Sequence, residues 1–313
     1  MPPAPANSDK NVLKDLFVRD PVLALVYGGS GAGKTTDSGL SFPNALFIAA
    51  PGALQSIRHN GGFEPLVENA YTIPDVTKFI TTIGQYKAKG ADTKIDAVVV
   101  DDFSYLAEQT FAQLEKKFTG FKLWGELRDA VIDFRNAARF AKVHIVMNAW
   151  EQPPKDRAGG ARIKGGPMLS GNLPEQVPAM FDMVLRCGMD PMRKPWAGVY
   201  QCVLDPNYIM KDRLNIASAC HPAPMNLAEL IRAAGYSLSR HPDLGWQEDV
   251  VERVAVQMGA DGAAKDKDTA NAVYADLVKN SVNPLHAKWT LRDAMDRTVI
   301  RRALNARNSV FLP

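Results

Sequence analysis

A chain that carries Gly28-Gly29-Ser30-Gly31-Ala32-Gly33-Lys34-Thr35 directly behind an apolar run at 22–27 has few folds open to it. The eight residues fit a phosphate-binding P-loop between a buried strand and a helix. Glycines let the backbone curl so that several N–H groups converge on one phosphate chain, and a helix beginning near Gly33 adds its positive end. Lys34 then reaches the β- and γ-phosphates, and Thr35 puts its hydroxyl on Mg²⁺, which keeps most of its waters. The nucleotide-binding set on this reading is Gly28, Gly29, Ser30, Gly31, Ala32, Gly33, Lys34, Thr35 and Thr36.

A second run, 95–100, is apolar and β-branched and ends in Asp101-Asp102. A buried parallel strand that delivers carboxylates to the C-terminal edge of its sheet looks like this. Asp101 is the candidate for holding the Mg²⁺ water shell. Asp102 has two readings: a general base for the attacking water, or the N-cap of a helix starting near Ser104.

Further strand candidates at 45–50, 143–148, 182–187 and 199–204, with helical patterns between several of them, give an α/β fold with a mainly parallel sheet. The last two flank a proline-containing turn and read as an added antiparallel hairpin. Leu127, Val131, Phe134, Ala138 and Ala141 recur at helical spacing as the buried stripe of a crossover helix, with Trp124 at its start read as packing. The 313 residues, 46% hydrophobic, are enough for such a core plus an appendage. Residues 1–20 read as a flexible N-terminal arm, 21–235 as the core, and 236–313 as a helical C-terminal appendage whose last helix is rich in arginine. Three cysteines without metal-type spacing and no apolar run of membrane-spanning length point to a soluble protein of a reducing, cytoplasmic compartment with no membrane partner.

With these residues in place, 22–234 resembles the RecA-core recombination ATPases, most closely the compact phage-encoded versions associated with single-strand annealing. The resemblance implies a RecA-like core that uses ATP and Mg²⁺, in host cytoplasm if phage-encoded. It implies that Asn148, read as the end of strand 143–148, senses the γ-phosphate. The glycine-rich loop beyond, with Lys155, Arg157, Arg162 and Lys164 against Asp156, is then the contact to single-stranded DNA. Lys211-Asp212-Arg213 is similar to the Lys-Asn-Arg-Phe-Gly motif of archaeal RadA-type subunits. Lys211 and Arg213 accordingly act on a neighbour's ATP site, which implies a homo-oligomeric ring or filament. The catalytic set is thus Lys34, Asp102, Asn148, Lys211 and Arg213.

One departure stands out. The family commonly places a catalytic acid after the second strand, where this chain has Ala49-Ala50-Pro51-Gly52. Either Asp102 takes over or turnover is slow and nucleotide binding mainly controls assembly. Alternatives from other classes are a nucleotide-gated assembly protein that docks a protein partner through its C-terminal helices, and a small-molecule kinase.

Overall fold

The computed structural model describes residues 20–238 except 43, 51, 62–65, 92–94, 157–161, 172, 190–197, 204, 221–222 and 237, together with 268, 272, 275 and 279. The expected N-terminal arm up to residue 19, the basic last helix and Arg157 lie outside the described residues.

Strand and helix alternate through the first half: β1 (Leu23–Gly28), α1 (Lys34–Ser41), β2 (Leu46–Ala49), α2 (Gln55–Gly61), β3 (Leu66–Glu68), α3 (Ile73–Ala88) and β4 (Ala97–Asp101). Two consecutive helices, α4 (Phe103–Glu115) and α5 (Gly120–Phe140), then lead into β5 (His144–Gln152). Short strands follow, β6 (Lys155–Asp156), β7 (Arg162–Ile163) and β8 (Gly166–Pro167), and then the one-turn α6 (Leu173–Gln176). The described part closes with β9 (Met183–Met189), β10 (Gly198–Gln201), β11 (Lys211–Asp212), β12 (Ala223–Pro224) and α7 (Leu227–Ala233).

The main sheet runs β12-β10-β9-β1-β5-β4-β2-β3. From β9 to β3 every pair is parallel, while β10 and β11 run antiparallel to β9, and β12 antiparallel to β10. The α/β class, the mainly parallel sheet and the antiparallel pair are those expected from the sequence. Parallel strands covered on both faces must be apolar along their whole length. Accordingly β1, β2 and β4 are buried at every residue. Side chains alternate between two cores. Leu23, Leu25, Val98 and Val100 join Phe103, Leu127 and Phe134 of α4 and α5 on one face. Val22, Ala24 and Val99 join Phe42, Ile57, Leu227 and Ile231 near α1, α2 and α7 on the other. Each such aliphatic side chain contributes about 1.5–3 kcal/mol on burial.

The stripe expected on the crossover helix is present, since Leu127, Val131, Phe134 and Ala138 are all buried on α5. Two expectations are corrected. Strand 143–148 continues four residues further, to Gln152, because its tail finds an antiparallel partner in β8. The loop at 151–167 is not irregular throughout: β6 and β7 pair antiparallel, setting Asp156 opposite Arg162.

The C-terminal segment is fastened to the P-loop helix by buried polar groups. Asp37 of α1 accepts hydrogen bonds from the Tyr200 hydroxyl and from the Leu227 amide. Ser41 Oγ accepts from the Ala228 amide at 3.1 Å. Helix α1 thereby satisfies amides at the start of α7 that would otherwise be orphaned. Among the described residues no helix is long and apolar enough to cross a membrane.

Candidate nucleotide-binding site

Strand β1 ends at Gly28, and the backbone turns through Gly31 (φ 75°) and Gly33 (φ 89°) before α1 begins. Both angles lie in the left-handed region, where a Cβ is strained. Gly28 is needed for a different reason: a Cβ there would stand 2.8 Å from Cβ of Cys187 on the adjacent β9. The loop is thus shaped by backbone freedom at two positions and close strand packing at a third.

Lys34 folds back over this loop, its Nζ donating to the carbonyls of Gly28 at 2.8 Å and Gly29 at 3.0 Å. Thr35 Oγ1 donates to the Asp101 carboxylate, 2.9 Å from Oδ2 and 3.1 Å from Oδ1. These contacts bring the P-loop lysine, the hydroxyl and the acid of the second motif to one edge of the sheet. Burial pushes the Asp101 carboxyl above the usual range, opposed by hydrogen bonds from Asn148 and Thr35 and by the charge of Lys34. A hydroxyl and a buried carboxylate in contact form an all-oxygen donor set, which suits Mg²⁺.

Asp102 combines features of both its readings. Its Oδ1 accepts from the Ser104 amide at 2.8 Å and so caps α4. Burial, with the negative charge of Asp101 adding to it, raises its carboxyl to about 6. A proton acceptor of that strength is poised for work near neutral pH.

Asn148 is placed otherwise than expected. It lies inside β5 rather than at its end, is fully buried, and donates from Nδ2 to Asp101 at 3.0 Å and to Ser38 Oγ at 3.2 Å. Its amide is committed to orienting Asp101. Two residues on, beside Gly28 in the strand register, stands the half-exposed Trp150. On β2 the residue beside Asp101 is Ala49, so no carboxylate enters the site from that position.

Arg213 lies toward the opposite edge of the sheet, and Lys211 midway between the two edges. Lys211 pairs with Val184, which is level with Leu25, and its Nζ donates to the Ala179 carbonyl at 2.9 Å. Burial lowers the Lys211 ammonium below its ordinary value, with Arg213 acting in the same direction. Arg213 lies 3.7 Å from Asp182, whose carboxylate is already held by Arg139 at 2.8 and 2.9 Å and accepts the Leu23 amide at 3.0 Å. Along β1 at the usual rise, Gly28 stands roughly 16 Å from the level of Leu23, near Arg213, and roughly 10 Å from the level of Leu25, beside Lys211. These two cations are therefore remote from the P-loop of their own chain.

The basic hairpin rises from the same edge as the P-loop. Lys155, Arg162 and Lys164 are all exposed, and Lys164 Nζ lies 3.4 Å from the Asp205 carbonyl. Its base is gripped by the segment after β10: the Gly165 amide donates to Asn207 O at 2.7 Å, and the Ile209 amide to Gly165 O at 2.9 Å. Arg186 secures this grip with two bonds to Glu151, 2.9 and 3.0 Å, while its guanidinium lies 3.8 Å from the Tyr208 ring centre. Asp37, Arg186 and Tyr208 carry no local motif. Their partners stand 15 to 190 residues away, from Gln201 with Arg186 to Leu227 with Asp37, so no spacing rule could find them.

A family model described as AAA domain (AAA_24) matches residues 20–214. No curated protein sequence matches the chain. Among solved structures it is similar to a RadB recombinase at 16% identity, covering 61% of this chain and 86% of that one with a TM-score of 0.37. It is also similar to a KaiC-like protein from Pyrococcus horikoshii OT3 at 12% identity, covering 61% and 83% with a TM-score of 0.36.

Proposed function

We propose, from the premise that this chain belongs to the AAA domain family of P-loop ATPases, that it is an ATP-dependent single-stranded DNA-binding protein of recombination or annealing, acting as a homo-oligomer. ATP and Mg²⁺ binding come with family membership. The more specific reading rests on one observation: the basic hairpin β6–β7 grows out of β5, the strand lying between the P-loop strand and the Asp101 strand. The strand that carries Asn148 against Asp101 thus leads straight into the segment that presents Lys155, Arg162 and Lys164, all exposed.

Bound Mg²⁺ supplies positive charge to the phosphates. Thr35 and Asp101 are the residues that would hold it, with Asn148 keeping the carboxylate in orientation. Lys34 exchanges its two carbonyl partners for phosphate oxygens, and the amides of residues 29–34 surround the same chain of phosphates. Asp102 accepts a proton from the attacking water while its Oδ1 stays fixed by the Ser104 amide. Lys211 and Arg213, remote from their own P-loop, serve the site of a neighbouring subunit.

Steady-state ATP turnover with and without single-stranded DNA tests this reading. DNA stimulation is expected. Turnover indifferent to DNA, or transfer of phosphate to a small acceptor, contradicts it. Ala49 beside Asp101 favours a second reading, nucleotide-gated assembly with weak hydrolysis, which predicts oligomers that form with ATP and no DNA-stimulated turnover.

A further inference from the structure

Helix α5 ends at Phe140, just before β5 begins, so its first turn stands at the C-terminal edge of the sheet, with the P-loop and the basic hairpin. There Phe121 is 98% exposed and Trp124 41% exposed. Exposure of Phe121 to this degree is unusual for a large apolar side chain in the first turn of a long helix. The two rings border a groove of about 570 Å³ whose other walls include Gly125, Arg128, Gly171 and Gln176. Trp124 is held in place from behind, its ring 5.0 Å from Phe111 and packed so tightly on Gly171 that a Cβ there would lie 2.6 Å away. The platform is rigid on one side and open on the other.

The surroundings say what kind of molecule fits. Arg128 of the groove wall pairs only weakly with exposed Asp129 at 3.4 Å, and Lys122, next to Phe121 in the chain, sits 4.8 Å over the Phe118 ring. Both cations remain available to an anion. Thr119 leaves the first turn of α5 without a side-chain cap, so its amides add to the positive rim. The groove is also tied by the chain to the basic hairpin: Gly171 follows Lys164 by seven residues, at most about 25 Å of chain. Open aromatic faces among cations, close to a basic hairpin, are the composition of a site for unpaired bases on a phosphate backbone.

We propose that the Phe121–Trp124 groove is a stacking site for an unpaired nucleobase of the strand whose phosphates the basic hairpin holds. This inference rests on the single-strand reading given above and assigns to α5 a part of that surface which the hairpin does not supply. Phe121 stacks on the base, Trp124 forms the fixed wall, and Lys122 and Arg128 meet the flanking phosphates.

The test compares a 20-nucleotide oligothymidylate with an abasic oligomer of the same length and charge, by fluorescence anisotropy at several salt concentrations. The proteins are the intact chain, Phe121→Ala, Phe121→Leu, and a chain with Lys155, Arg162 and Lys164 neutralised. Phe121 is almost wholly exposed, so replacing it leaves the fold in place. Both Phe121 variants are expected to bind oligothymidylate about five- to hundredfold more weakly, with an unchanged salt slope and unchanged affinity for the abasic oligomer. Unchanged oligothymidylate affinity, or equal weakening for both oligomers, overturns the stacking site. So does a Phe121 variant that only shifts the sedimenting species, which assigns the groove to a second copy of the chain. If the intact chain binds neither oligomer, the single-strand reading fails with it. If neutralising the hairpin leaves the slope untouched while the preference for bases persists, the hairpin reading fails and the groove stands.

Discussion

Among single residues, buried carboxylates at the site and one buried imidazole, at the far end of β5, have their proton affinities moved by their surroundings. Asp102, raised to about 6 by burial, accepts protons well only above that pH. Turnover should therefore fall as pH drops through about 6. Asp102→Asn keeps the cap on α4, since asparagine caps as well as aspartate, and it removes a buried negative charge, so stability at pH 7 should hold or rise. Turnover should drop by about 10²-fold and lose that acid limb. A variant with normal turnover and the same pH profile removes Asp102 from the base role. His144 behaves in the opposite sense. Its Nδ1 accepts the Val22 amide at 3.1 Å, and burial holds its pKa at about 4. The folded chain keeps it neutral where the unfolded chain takes up a proton, so its contribution to stability is lost as pH falls from 6.5 toward 4, by about 3 kcal/mol in all. Asp37 and Asp102 titrate with the other sign, so the informative quantity is a difference. Urea unfolding of the intact chain and of His144→Gln should converge by about that amount between pH 7 and pH 4, and a constant difference would remove the imidazole from the account.

At the scale of elements, the hairpin β6–β7 is the piece whose task is most exposed to test. Neutralising Lys155, Arg157, Arg162 and Lys164 should weaken binding of every single strand alike. The log–log salt slope should flatten by about 0.7 for each phosphate that these side chains no longer neutralise. Weakening confined to particular sequences would mean that these residues read bases instead. The elements also show what a sequence discloses. The P-loop, the Asp101 strand and the apolar stripe of α5 are legible, because each is local: a fixed spacing of residue types or a period of one helix. Strand β5 beyond Asn148 is not, since Ala149 to Gln152 carry no alternation and become a strand only through pairing with β1 and β8. The three-residue β3 is too short to leave a pattern. The role of Asn148 escapes the sequence for the same reason: at the end of a strand it would face a phosphate, but with the strand extended it is sealed against Asp101. The stacking groove lies on a residue, Trp124, that periodicity assigns to packing.

At the scale of the whole molecule, the sheet keeps Lys34 apart from Lys211 and Arg213, the cations proposed to serve a neighbouring site. Lys34 and Asp101 stand at one edge, Arg213 toward the other and Lys211 midway. Subunits stacked edge to edge would join them. Lys34→Ala and Arg213→Ala chains should each be nearly inactive, yet mixed oligomers should recover activity wherever an intact P-loop faces an intact Arg213. If mixed oligomers form and stay inactive, sites are not shared between subunits. On the proposed reading, nucleotide at the P-loop controls the grip on single-stranded DNA. The most direct test is the affinity for an oligothymidylate with and without ATP and Mg²⁺, in the intact chain and in Lys34→Ala. ATP should change the affinity of the intact chain severalfold and leave Lys34→Ala unaffected. An affinity indifferent to ATP in the intact chain, or the same ATP response in both proteins, would contradict that reading.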